Sequence, residues 1–360
     1  MIGLVTFLAP LLLGQTPVLP ATEVSLLFAG DAMQHQAQIT SARTAEGYDY
    51  TGCFEAITDE VAAADYAVVN LEVPAGGAPY TGYPCFSAPD EFPIALQQAG
   101  FDLFLTANNH CLDRYSRGAQ RTLHVLDSIG VDHVGTYASP ELSERFHPLM
   151  VQIKGIRTAF LNYTYGTNGF TPTPPLTVNY IDREHLKKEI RRAKDLKAEL
   201  IVACLHWGDE YQLLPNKQQK ELADWLVDEG VQLIIGAHPH VIQPMELRHD
   251  AQGNPQALIV YSLGNFISNM KTRDTVGGSL VKVTIARDPM NRVVLQSAQY
   301  TLVYTRRPSS PTENFKVVPA EQELQAHPYR PHLKGFLQKA REIFSKYNKG
   351  VKEYFIKTAD

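Results

Sequence analysis

The 360-residue sequence predicts an α/β protein built on a largely parallel sheet. Three observations carry that expectation. Apolar runs rich in Val, Ile, Leu and Phe recur without alternation, as strands do when both faces are covered. Between the runs lie stretches with apolar residues at helical spacing that stop at glycines. Each run also ends in an Asp, Glu, Asn or His, at the strand ends where parallel sheets gather their ligands.

Taken in order, Val24 to Ala29 leads into Gly30-Asp31, and Tyr66 to Val69 leads into Asn70-Leu71-Glu72. Leu103 to Thr106 leads into Asn108-Asn109-His110. A short strand from Thr158 to Leu161 opens onto Leu161 to Pro175, whose Tyr, Asn, Thr and Gly read as a loop. Leu200 to Leu205 delivers His206-Trp207-Gly208, Val231 to Ile235 delivers His238-Pro239-His240, and Leu258 to Tyr261 delivers Ser262-Leu263-Gly264-Asn265. Helices are expected over Pro93 to Ala99, Arg117 to Ile129, Asp182 to Lys197 and Asn216 to Asp228, with Gly100, Gly130 and Gly230 as stops. Past Asp274, Ser279 to Ala286 and Arg292 to Tyr304 read as a β-hairpin around Asp288-Pro289-Met290-Asn291. Pro331 to Ile356 reads as a basic amphipathic helix packed on the outside of the domain.

Composition narrows the function classes. A net charge of -5, with no Lys/Arg run, excludes nucleic acid as an expected partner, and no dense basic stripe for a polyanion is visible. Leu4 to Leu13 is too short to span a bilayer but suits the apolar region of a secretory signal. The division expected is therefore a signal peptide over 1–21, a domain over 22–306 and a C-terminal extension over 307–360. Export to the periplasm or cell envelope follows; a cytosolic protein with an apolar first strand is the rival. The four cysteines lack CxxC spacing, which argues against a thiolate zinc site. In an exported chain Cys53 and Cys85 could pair, whereas Cys111 and Cys204 read as core residues.

The strand-end residues form a mixed oxygen and nitrogen donor set. Asp31, Glu72, Asn109, His206, His238 and His240 supply carboxylates, an amide carbonyl and imidazoles, with His35 as an additional candidate. Pro239 between His238 and His240 limits the loop and biases His238 toward extended backbone. So many donors suit one or two divalent ions (Mn, Fe or Zn), two of them sharing a carboxylate. His124, His133, His147, His185, His249, His327 and His332 fall outside the pattern and read as surface residues.

Gly30-Asp31-Ala32-Met33, Asn70-Leu71-Glu72, Ala107-Asn108-Asn109-His110, His206-Trp207-Gly208, Gly236-Ala237-His238-Pro239-His240-Val241 and Ser262-Leu263-Gly264-Asn265-Phe266 together resemble the motifs of the bacterial capsule-synthesis (CapA-type, poly-γ-glutamate) family. That family belongs to the calcineurin-like metallophosphoesterases. The resemblance implies a four-layer α/β/β/α sandwich with a dimetal centre held by Asp31, Glu72, Asn109, His206, His238 and His240. It makes His110 the acid that protonates a leaving group, with Asp113 orienting it. Met33 stands where a ligating histidine is usual and Glu72 where Asp is usual; His35 could compensate. Asn162, Tyr163, Tyr165, Asn168 and Asn265 are candidates for lining the substrate cleft. The implied activity is attack by a metal-bound hydroxide on a phosphoester or amide-type bond of an anionic capsule polymer or phosphoester substrate. Membrane-bound polymer synthase components are the implied partners. The alternative is a metal-containing, non-catalytic partner of such a synthase or exporter.

Overall fold

A computed structural model describes residues 23–356, so the expected signal segment lies outside the described residues. The chain first lays down β1 (Val24–Ala32), β2 (Tyr66–Leu71), β3 (Leu103–Leu105) and β4 (Asp132–Val134) as parallel neighbours. Helices α1 (Gln36–Ser41), α2 (Thr58–Ala62), α3 (Glu91–Gln98) and α4 (Tyr115–Ile129) lie between them in sequence. After β5 (Thr136–Tyr137) and α5 (Pro140–Phe146), a second sheet begins with β6 (Leu149–Ile153) and β7 (Ile156–Thr164). It continues through β8 (Thr177–Val178, paired only with β5), α6 (Arg183–Asp195), β9 (Leu200–His206), α7 (Lys217–Asp228), β10 (Leu233–Ala237), β11 (Met245–His249) and β12 (Pro255–Val260). The chain then returns to the first sheet with β13 (Asn265–Ile267), β14 (Gly277–Arg287), β15 (Val293–Arg306) and β16 (Lys316–Pro319). Helices α8 (Ala320–Ala326) and α9 (Pro331–Tyr347) and strand β17 (Lys352–Glu353) follow.

The strand–helix repetition alone suggested one sheet; there are two large ones, as the α/β/β/α resemblance implied, and a separate two-stranded β5–β8 pair. The first runs β16-β15-β14-β1-β2-β3-β4, with β13 paired to β1 and β17 to β15; the second runs β11-β12-β10-β9-β7-β6. Each has a parallel centre, and antiparallel strands complete one side of the first and both edges of the second. Side-chain alternation divides each apolar run between two cores. Leu26, Phe28 and Val68 meet Phe160, Val202, Ile235 and Val260 in the space between the sheets. Leu27, Ala29, Val69 and Phe104 face outward onto Phe92 and Leu96 of α3. Ile201, Ala203 and Leu205 face the opposite way, onto Leu186 and Ile190 of α6 and Leu226 of α7. Helix, sheet, sheet and helix form the four layers of an α/β/β/α sandwich.

The four helices expected from periodicity are present, no end displaced by more than two residues. Gly130 ends α4 at φ +71°, a left-handed cap that glycine accepts without strain. The C-terminal helix ends at Tyr347, short of Ile356, where Asn348 turns to extended backbone and its side-chain Oδ1 accepts from the Met245 amide at 2.8 Å. The apolar face of α9, with Leu333, Phe336, Leu337, Ala340, Ile343 and Phe344, is buried in the core that lies between the sheets, Phe344 packing edge-on against Tyr300 at 4.5 Å. Residues beyond 306 therefore complete the sandwich. Among the described residues no helix is long and apolar enough to cross a membrane.

Two expectations fail here. Cys53 and Cys85 are both free: Cys53 is buried in the outer apolar layer beside the first sheet, while Cys85 is exposed on a loop. His147 is no surface residue; it is buried, with Nδ1 3.1 Å from the Tyr137 hydroxyl and Nε2 2.9 Å from the Tyr163 hydroxyl. Those two hydroxyls satisfy a polar ring inside an apolar layer, and burial pushes its pKa down to about 3.

Candidate metal centre

Both sheets bring their carboxyl ends to one place. Asp31 ends β1 in register with Asn70 on β2 and Asn265 on β13, and His206 ends β9 in register with Ala237 on β10. Gly30 permits this convergence. A Cβ there would lie 1.9 Å from the Gly264 carbonyl oxygen, which instead accepts from the Asp31 amide at 3.0 Å.

Six of the seven expected metal ligands come together. Glu72, His206 and His238 can direct one ligand atom each at a common point, and so can Asp31, Glu72 and His240. Glu72 belongs to both groups. His206 Nε2 also lies 2.9 Å from Asn109 Oδ1 and 3.5 Å from Glu72 Oε1, so three lone-pair donors surround one point. His240 Nδ1 lies 3.1 Å from both Asp31 Oδ2 and Asn265 Oδ1; facing two acceptors, it carries the ring hydrogen and leaves the Nε2 lone pair toward Glu72, 3.8 Å away.

The donor set fits a divalent cation on a further ground. Both Glu72 oxygens and His238 Nδ1 are buried without any hydrogen-bond partner, and such groups are costly unless something satisfies them. Burial, reinforced by the Asp31 charge, holds the Glu72 carboxyl well above its ordinary range. Burial also pushes Asp31 up, but the bonds from His240 and Asn70 outweigh it and leave Asp31 below the usual carboxylate range. Burial lowers His206 well below 6.5 and His238 to about 3, so both rings are neutral and able to ligate at neutral pH.

The loop geometry differs from the extended backbone expected of His238. His238 has φ +100° and His240 φ +59°. Two non-glycine residues in this region carry strain of about 1–3 kcal/mol each, the kind concentrated where a site dictates backbone shape. The Asp31 carboxylate accepts from the His238 amide at 3.4 Å, and the Pro239 carbonyl from the Tyr211 amide at 2.8 Å, which hold the loop.

His35 stays outside. Its Nδ1 faces Gln38 Oε1 at 3.2 Å and the Asn269 amide at 3.3 Å, and it joins neither ligand group. It caps α1, and burial lowers its pKa to about 4. Met33 is buried in the outer apolar layer. His110, also outside the ligand groups, donates from Nδ1 to Asp113 Oδ2 at 2.7 Å, and that oxygen also accepts from the Phe86 amide at 2.8 Å. Asp113 thereby fixes the ring.

The five residues proposed to line the cleft separate into two kinds. β7 extends past Leu161, so Asn162 and Tyr163 lie on a buried strand. Asn162 bridges the Ala107 amide and the Cys204 carbonyl, and Tyr163 bonds His147, which leaves neither available to substrate. Asn265 is buried too; it steadies His240 and donates to the Thr275 carbonyl at 2.9 Å. Tyr165 is half exposed, its ring 4.5 Å from that of His238 and 6.4 Å from that of His206, so it lies against two of the candidate ligands. Asn168 accepts from Asn109 Nδ2 at 3.3 Å. Two further contributors are Asn70, which donates to Asp31 Oδ1 at 2.7 Å, and Asn108, which donates to the Leu71 carbonyl at 2.8 Å and braces the Glu72 loop. The Asn70-Leu71-Glu72 and Asn108-Asn109-His110 triplets hold that signal in sequence. Tyr211, with its ring 6.2 Å from that of His240, gave none.

A four-layer sandwich with two carboxylate–imidazole groups sharing Glu72 at its strand ends defines a metallophosphoesterase-like protein. Residues 25–270 match the family described as bacterial capsule synthesis protein PGA_cap, and the chain belongs to that family. It is 29% identical over 277 residues to the capsule biosynthesis protein CapA of Bacillus anthracis, covering 72% of this chain and 63% of that one. To the PGA biosynthesis protein CapA of Bacillus subtilis it is 28% identical over 285 residues, covering 75% and 70%. The chain thus spans just under two thirds of the first relative's length. Solved structures that resemble it include the NAD nucleotidase of Haemophilus influenzae (9% identity, 94% of this chain and 65% of that, TM-score 0.47). A 5'-nucleotidase of Candida albicans is a second (10% identity, 89% and 57%, TM-score 0.43).

Proposed function

We propose that this chain is an exported, metal-dependent hydrolase of capsule or exopolymer biosynthesis, acting on a phosphoester or amide-type bond of an anionic, poly-γ-glutamate-type polymer. The observation that carries the reading is Glu72: buried, shared by two ligand groups, with neither oxygen partnered by the protein. Asp31, Glu72 and His240 would hold one divalent ion, and Glu72, His206, His238 and Asn109 a second. Bound there, the ions supply Lewis acidity at the reacting centre. Around them the chain's own groups do the rest. Asn265 and Asp31 fix the His240 ring, Asn70 fixes Asp31, and the Tyr165 ring packs against His238. His110, aligned by Asp113, is placed to pass a proton to a departing group.

A second reading keeps the metal but not the chemistry, with the chain serving a membrane-bound polymer synthase or exporter. Met33 favours it, being buried in apolar surroundings where a ligating histidine is usual. One experiment decides between them: metal analysis of the purified protein with turnover assays on a phosphodiester and on γ-linked glutamate oligomers. Stoichiometric metal with turnover of either supports the hydrolase. Metal with turnover of neither, in a protein that restores capsule to a deletion strain, supports the non-catalytic partner. Export is tested by N-terminal sequencing of the mature chain, where an intact Met1 refutes it.

A further inference from the structure

A cleft of about 850 Å³ opens beside α4, with Asp113 at one end and Arg114, Arg117, Arg121 and His124 among its lining residues. In sequence these three arginines and one histidine are scattered among neutral residues; at spacings of three, four and three they fall on one face of the helix. From Arg114 to His124 the stripe is about 15 Å long at the helical rise of 1.5 Å per residue. Nothing in the metal centre uses it.

The stripe is constructed, and its members differ in role. Arg121 is committed to the fold: it makes two 2.6 Å bonds to Asp90 and a third to the Ala75 carbonyl, which anchors the loop forming the facing wall. The stem of Arg114 is seated between two glycines. A Cβ on Gly76 would lie 2.5 Å from Arg114 Cγ, and one on Gly118 would lie 2.2 Å from Arg114 Cβ. Arg117 and His124 are exposed. Among the described residues, Arg114, Arg117 and His124 have no ion-pair partner, whereas Arg121 has Asp90. The α4 N-terminus adds to the positive potential, since no acidic residue occupies its first turn.

We propose that this cleft binds the carboxylates of a linear polyanion and leads the chain toward the metal centre. The inference rests on the capsule-polymer reading above and names the surface that would recognise such a substrate. A small anion would engage one end of the stripe, whereas a polymer with regularly repeated carboxylates meets Arg114, Arg117 and His124 together. Arg114 can take a carboxylate through two parallel N–H bonds, a geometry that ammonium groups do not offer. The connection to the centre is Asp113, which lines the cleft and is hydrogen-bonded to His110.

The test measures binding of a fluorescent γ-linked glutamate oligomer to the full chain. Wild type is expected to bind in a salt-sensitive manner, and Arg117→Glu with His124→Glu to bind at least about tenfold more weakly. Arg117→Lys keeps the charge and is expected to retain most of the affinity, which separates charge loss from misfolding. Lys187→Glu with Lys188→Glu, on the basic face of α6, is expected to bind as wild type does. Cys85, exposed at the cleft while the other three cysteines are buried, gives an independent reading. The oligomer should slow its alkylation by a neutral reagent. Undiminished binding by the Arg117/His124 double variant, no binding by wild type, unslowed alkylation, or a preference for linear polyphosphate overturns the proposal. Metal content is measured on the same samples. A wild type that binds oligomer but holds no metal refutes the hydrolase reading and leaves the cleft standing.

Discussion

Replacing Glu72 by Gln tests the metal centre through stability, without needing a substrate. The change preserves shape and removes the charge from a fully buried carboxylate whose oxygens have no partners. Gln leaves a buried amide in place but no charge, so the substitution relieves the extra cost of burying a charged rather than a neutral polar group, about 1–3 kcal/mol. In chelator, therefore, Glu72→Gln should be the more stable protein. With an unfolding entropy of about 2.1 cal/mol/K per residue, 360 residues give about 0.76 kcal/mol/K, so the gain is an increase of about 1–4 °C in Tm. Metal reverses the order. A ligand at a hundred times its Kd stabilises by about 2.7 kcal/mol, or about 3.5 °C here, and wild type should gain it while the variant gains little. Differential scanning calorimetry of both proteins in EDTA and in saturating Mn²⁺ or Zn²⁺ reads all four values. A variant that melts below wild type in EDTA, or that gains as much from metal, refutes the argument that Glu72 is held for a cation.

Three other outcomes are expected. His110→Ala should retain wild-type metal content yet lose about 10²–10⁴ in kcat, with Asp113→Asn losing less; equal loss of metal in His110→Ala would make His110 a ligand instead. Asn70→Ala, which frees Asp31 from its 2.7 Å bond, should weaken metal affinity about 10–100-fold, as read by competition with a chromogenic chelator. His147 contributes to acid stability together with the buried His35, His206 and His238: the unfolded ring, at about 6.5, takes up a proton that the folded ring refuses until about pH 3. Stability should therefore fall as pH drops from about 6.5 toward 3, and His147→Gln should flatten the Tm–pH profile over that interval; an unchanged slope would assign acid sensitivity elsewhere.

Much of this protein is written in short-range pattern. The unalternating runs at Val24, Tyr66, Leu200, Val231 and Leu258 mark strands covered on both faces, and the strand-end Asp31, Glu72, Asn109, His206, His238 and His240 mark the convergent donors, because a parallel strand delivers whatever residue follows its last turn of pleat to the same end of the sheet. What pattern leaves undecided is long-range. Whether the runs form one sheet or two depends on which strands pair, and only β14 and β15 packing beside β1 closed the first sheet apart from β7, β9 and β10. Asn162, Tyr163 and Asn265 look like cleft residues in sequence, but partners ten or more residues away (Ala107, His147 and Thr275) turn them inward. Likewise the basic stripe on α4 exists only once the helix fixes which side faces the loop at Gly76. The sequence by itself determined which residues could ligate and where strands and helices form, since these depend on residues a few positions apart. Tertiary structure alone decided that Glu72 belongs to both candidate ligand groups, that His35 lies outside them, and that Arg114, Arg117 and His124 line one cleft, because each depends on distances between segments that local sequence does not encode.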